Sequence, residues 1–276
     1  MHPGSHGRAP TSWPPAAVRL VTDTFLSLAD EAAPGLVEGL YLHGSLGFGE
    51  WYDARSDIDY VAVLARRPDD RQVDVLRDVH AGVAETFPRP PFDGFHLIWD
   101  DLARSPYACP DVPCTQGGYF HEEARLDVQP VTWHEVVHHG LTVRGPEPGT
   151  LGIWTDEQVL REYTHDNLRS YWAAEVDQLR KFPDEAARPD IVAWFVLGVS
   201  RLHHLLATGR LTSKTGAGRY ALERFGERWR PIVAEAIVYR ELDESTGRYD
   251  GEPARRAEDT IDFVDMVVAS GLAIPV

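Results

Sequence analysis

Cysteine is scarce in this sequence: Cys109 and Cys114 are the two that occur among 276 residues. Two thiols give no disulfide framework and suit a reducing compartment, so a stapled secreted fold is disfavoured and a cytoplasmic location is expected. Their CPDVPC spacing has no second ligand pair beside it, and they read as ordinary thiols. Basic charge is also short, with 27 Lys and Arg against 43 Asp and Glu and a net charge of -16. A field of that sign repels polyanions, which argues against nucleic acid or anionic membrane as partners; it favours cationic ones, or else is simply the charge of a soluble surface. No apolar run approaches the length of a membrane-spanning helix, and MHPGSHGRAPTSWPP lacks the continuous apolar core of a signal peptide. The phosphate loops of two large classes are missing as well. No Gly-Lys-Ser/Thr follows the glycines at 44, 47 and 49, and there is no Gly-x-Gly-x-x-Gly fingerprint.

What is present is enough apolar material for a packed protein: 43% hydrophobic residues, eight of them tryptophan. The length is comfortable for two domains. The pattern changes character near residue 151, from strands and turns to long helical runs. We therefore expect a flexible segment over 1–18, a mixed α+β domain over 19–150 and an all-helical domain over 151–276.

The stretch 40–64, LYLHGSLGFGEWYDARSDIDYVAVL, concentrates the chemistry. Residues 36–43 read as a short buried strand, followed by Gly44-Ser45, a turn in which backbone amides and a hydroxyl can approach a phosphate. A second strand runs from Asp57 to Leu64. Side chains at i and i+2 of a strand project from one face, so Asp57 and Asp59 point together, roughly 7 Å apart by strand rise, with Ile58 opposite. Two such carboxylates repel each other without cations and can share one or two divalent ions. Helices are expected over 16–31 and 69–87 from their apolar spacing, and a third strand over 92–99. Asp93 at its start supplies a third carboxylate if that strand lies beside the second; the alternative is an Asp93-Gly94 turn. Residues 103–130 read as an irregular segment.

His134-Glu135-Val136-Val137-His138 matches the HExxH pattern of zinc hydrolases, in which two histidines at i and i+4 share a helix face. The match is isolated: Leu141 and Arg144 stand where the longer metzincin pattern needs Gly and His. An amphipathic helix stopped by Gly140 is the competing reading. In the second half, helices are expected over 157–181, 191–208, 215–225, 229–239 and 254–271. Arg201, Arg210 and Lys214 are candidate phosphate ligands there, Arg as a fork and Lys as a point charge, or else solvated surface charges.

Gly44-Ser45, a short spacer and Asp57-Ile58-Asp59 together resemble the signature of the nucleotidyltransferase superfamily. The stretch VLGVSRLHHLLATGRLTSKTGAGRYALERF, 196–225, and the VRGPEP turn at 143–148 resemble the aminoglycoside (streptomycin/spectinomycin) adenylyltransferase family. The resemblance covers most of the chain after residue 20. It implies an α+β fold, with a nucleotidyltransferase (polymerase-beta-like) mixed sheet and helices followed by a helical C-terminal domain. It also implies ATP as co-substrate, two Mg²⁺ ions at Asp57 and Asp59, Gly44 and Ser45 on the triphosphate, and Arg201 and Lys214 on phosphates. Asp93 falls where the family has a glutamate that acts as base, one methylene longer. The tryptophan and aspartates by which the family contacts its drug do not align cleanly with FPDEAARPDIVAW. The function so implied is transfer of AMP to a hydroxyl of a small acceptor, an aminoglycoside antibiotic, by a monomeric enzyme. The rival readings are transfer to another small molecule or to a protein, a noncatalytic ATP-binding module and, most remotely, a zinc hydrolase at the HExxH stretch.

Overall fold

The computed structural model describes residues 13–276, so the greater part of the expected flexible segment lies outside the described residues. The chain divides into two compact units. The first comprises the chain up to Trp51 with Asp57–Val128 and Val136–Ile153; the second comprises Tyr52–Ser56, Gln129–Glu135 and Trp154–Val276.

In the first unit, α1 (Ala16–Ala32) leads into a sheet of β1 (Val37–Leu42), β2 (Ile58–Leu64), β3 (Phe92–Ile98), β4 (Val112–Gln116), β5 (Tyr119–Ala124) and β6 (Leu141–Arg144), with α2 (Asp70–Thr86) between β2 and β3. The strand order is β5-β4-β3-β2-β1-β6. Only β2 and β3 pair in parallel; the other neighbours are antiparallel. A parallel pair needs a crossover, and α2 provides it. Its start is set by Asp69, whose carboxylate accepts from the Gln72 amide at 2.9 Å while Gln72 Oε1 accepts from the Asp69 amide at 3.2 Å. Such a box satisfies two donors that a helix start leaves unpaired.

The period-2 alternation of β2 decides which face carries what. Ile58, Tyr60, Ala62 and Leu64 join Val18, Phe25, Leu76 and Val79 of the two helices in one apolar core. Asp59 therefore falls on the opposite face, as the alternation from Ile58 requires. A polar chain crosses this core. Tyr60 Oη lies 3.1 Å from His80 Nε2 and 3.0 Å from Thr115 Oγ1, and His80 Nε2 lies 3.2 Å from His96 Nε2. His96 Nδ1 is 3.1 Å from the Pro113 carbonyl and must donate to it. In the neutral ring that leaves His96 Nε2 as an acceptor, so His80 Nε2 carries the proton between the two rings.

Two expectations need correction here. Residues 103–130 are not irregular: they contain the β4–β5 hairpin, turned by Gly117 and Gly118 at φ 59° and 81°. Gly-Gly between extended runs is the signal for such a hairpin. The strand β6 was also not anticipated, its four residues being too short for alternation to register.

The helix α3 (Pro130–His139) is divided between the units, residues 130–135 belonging to the second, where α4 (Glu157–Asn167) continues through a π-helical turn, Leu168–Trp172, into α5 (Ala173–Leu179). Then come α6 (Pro189–Thr208), α7 (Lys214–Arg224), α8 (Arg230–Leu242) and α9 (Pro253–Leu272). Within this unit α6 is central, and Val196 and Val199 on it share one core with Trp172, Ile232, Val233, Phe263 and Val264. Contrary to the sequence expectation, α6 is by length and composition long and apolar enough to cross a membrane, although most of that apolar stretch is buried inside the fold. A helix surrounded by partners is apolar on every side for that reason.

Candidate active site

The site begins where β1 ends. The His43 amide donates to the Asp59 carbonyl at 3.0 Å, and the chain then makes one helical turn, Gly44–Gly47. Gly44 has φ +57°, and a Cβ built on it would stand 1.9 Å from Asp59 Oδ2. The turn backbone thus lies directly against the Asp59 carboxylate. Glycine is required twice over, by its dihedral and by the space. Next to it, Ser45 Oγ is buried and has no hydrogen-bond partner. An unsatisfied buried hydroxyl costs about 1–3 kcal/mol, a cost that a ligand's acceptor oxygen would remove.

Asp93 belongs to β3 rather than to a turn, and pairs in parallel register with Asp59 on β2. Directly paired residues of adjacent strands project from the same face, their backbones about 4.8 Å apart. Asp57 stands one residue before β2. Its charge reaches Asp93: burial pushes the Asp93 carboxyl above its ordinary pKa, amides of Gly117 and Gly118 pull it down, and Asp57 pushes it up again. Those amides donate to Asp93 Oδ2 at 2.9 Å and to Oδ1 at 3.4 Å. The Gly-Gly hairpin turn is therefore part of the site. Sequence reasoning missed it, though the dipeptide was visible.

In the second unit, Arg201 stands on α6 and is half-buried, with Nη2 donating to Glu135 Oε1 at 2.8 Å. Lys214 is the first residue of α7, whose N-cap Ser213 accepts from the Gly216 amide at 2.8 Å. Arg210 is exposed, and its carbonyl accepts from His204 Nδ1 at 2.8 Å. The segment Tyr52–Ser56, which precedes Asp57, is held within this unit: Tyr52 Oη lies 3.2 Å from Thr215 Oγ1, and Arg55 pairs with Asp243.

Among the described residues, the HExxH side chains form no group that could hold a metal. Glu135 is paired with Arg201, and His134 Nε2 accepts from the Asp156 amide at 3.2 Å. His138 is exposed while His134 is buried. Nor are the cysteines bridged; both are buried thiols.

Residues 158–268 match the family described as aminoglycoside adenylyltransferase, C-terminal domain. No curated protein matches the chain. Among solved structures, the chain is similar to the spectinomycin adenyltransferase AAD(9) from Enterococcus faecialis, crystallised with ATP and spectinomycin. That likeness has a TM-score of 0.64 at 12% identity, over 90% of this chain and 99% of that one. The likeness at this identity is one of fold. Residues 158–268, Arg201 and Lys214 among them, thus match the C-terminal-domain model of the aminoglycoside adenylyltransferases, and the chain as a whole shares the fold of the spectinomycin adenyltransferase structure.

Proposed function

We propose that this protein transfers AMP from ATP to a hydroxyl of a small cationic acceptor of the aminoglycoside type. The observation that carries the reading is the contact of the Gly44 turn with the Asp59 carboxylate, beside a buried Ser45 hydroxyl that lacks a partner. A phosphate-binding turn and a metal-binding carboxylate serve one ligand when they are this close.

The donor set fits Mg²⁺. Carboxylate oxygens are the hard ligands it prefers, and it is commonly held by one or two of them, with phosphates and water completing the shell. Asp57 and Asp59 would hold Mg²⁺, two ions in all. When bound, they neutralise charge on the phosphate oxygens.

The chain's own residues do the rest. Ser45 and the turn amides take oxygens of the triphosphate, and Arg201 and Lys214 bind further phosphate oxygens, the first as a fork and the second as a point charge. Asp93 accepts the acceptor hydroxyl's proton. The hydroxyl oxygen attacks the α-phosphorus in line, its bond to phosphorus forms, and pyrophosphate leaves. The net charge of -16 favours encounter with a polycationic acceptor.

The test is transfer of label from α-labelled ATP to a panel of aminoglycosides, with drug susceptibility measured in an expressing host. Label on one drug and raised resistance support the proposal. Label on protein or on another metabolite would keep the chemistry and change the acceptor, whereas nucleotide binding without turnover would overturn the enzymatic reading.

A further inference from the structure

Glu135 is 4% exposed, a poor place for a charge unless it is paired. Its partner is the guanidinium of Arg201, at 2.8 Å through Nη2, on a side chain 27% exposed. The helix that carries Glu135 is itself held: Trp133 and Val136 are fully buried on either side, and His134 accepts from the Asp156 amide. The carboxylate is therefore a fixed point, and the arginine is the member of the pair that reaches solvent.

We infer that Glu135 is the positioning residue for Arg201, holding one edge of the guanidinium so that the rest of the fork is presented to the nucleotide phosphates. The inference rests on the reading of Arg201 as a phosphate ligand. An arginine on an exposed helix face spends its time among many rotamers, and ordering it on binding costs affinity. A buried carboxylate bonded to Nη2 orders the side chain beforehand, and leaves Nη1 and Nε for phosphate oxygens. It also gives the glutamate of the HExxH stretch a partner other than zinc, the Arg201 guanidinium.

The pair predicts non-additivity. Affinity for a nonhydrolysable ATP analogue with Mg²⁺ is measured by calorimetry for the full chain, Glu135→Gln, Arg201→Ala and the double variant, with thermal unfolding of each. Glu135→Gln is expected to weaken binding about tenfold, as loss of a charged hydrogen bond does. In the Arg201→Ala background the same substitution is expected to change affinity less than about twofold. Equal losses in both backgrounds, or no loss in the parent, would overturn the inference and leave the adenylyltransferase reading intact. Failure of the parent chain to bind the analogue at all would sink both. If Glu135→Gln does not fold, Glu135→Asp keeps the charge and withdraws it by one methylene, and the same comparison of backgrounds decides.

Discussion

Replacing Gly44 by alanine tests the heart of the site with one methyl group. The added Cβ would meet Asp59 Oδ2 at 1.9 Å, where 3.0 Å is the closest approach that real Cβ atoms tolerate. The carboxylate must therefore retreat by roughly 1 Å, or the turn must open by as much. A displacement of about 1 Å in a catalytic group can cost on the order of 100-fold in rate. The substitution also forces a side chain into φ +57°, at about 1–2 kcal/mol. Gly49 separates the two effects. It has φ +74° and nothing within 4 Å of its hypothetical Cβ, so Gly49→Ala carries the backbone strain without the collision. Both variants should lose a few degrees of Tm. Only Gly44→Ala should lose AMP transfer by about 100-fold, measured as label moved from α-labelled ATP at saturating nucleotide. Comparable activity in the two alanine variants would refute the argument that the Gly44 turn serves the Asp59 carboxylate.

Asp57→Ala and Asp59→Ala should each abolish AMP transfer while leaving the circular dichroism spectrum unchanged, and full activity in either would remove the metal assignment. Ser45→Ala deletes a buried hydroxyl with no partner. It should leave stability unchanged or raise it by up to about 1 kcal/mol, yet weaken ATP binding several-fold by calorimetry; stability lost with affinity retained would contradict the role given to Ser45. Acid should destabilise the fold through its buried histidines. Burial pushes His96 and His203 down to about 4, against about 6.5 in the unfolded chain. A lowered folded pKa means that their stabilising contribution is complete above 6.5 and is lost as pH falls towards 4. At pH 5 each should cost about 2 kcal/mol, read as a falling urea midpoint between pH 7.5 and 5; a midpoint that does not move would show that these rings are not buried neutral.

Local chemistry was legible wherever it repeats along the chain. The alternation Ile58-Asp59-Tyr60 announced which face of β2 would carry the carboxylate, and the structure keeps Ile58 and Tyr60 in the helix-covered core. The apolar spacing over 69–87 marked a helix, and the structure adds the capping box of Asp69 and Gln72 that sets its start. The short elements were not legible. Four residues of β6 are too few to show a period, and β5 is mostly exposed, so its composition carries no inward stripe.

Pairing between distant segments belonged to the tertiary structure alone. That Asp93 stands opposite Asp59 depends on β2 and β3 running parallel, and the 33 or so residues between them say nothing about register until both strands have packed on their helices. The HExxH stretch shows the same limit from the other side: its spacing suggested zinc, and only the fold brings Arg201 to Glu135 and gives that carboxylate a different partner. The sequence by itself determined the residue types and their local faces, because those follow from covalent geometry and period. Which side chains meet was decided by burial of apolar surface across long loops, a property of the whole chain that no local spacing records.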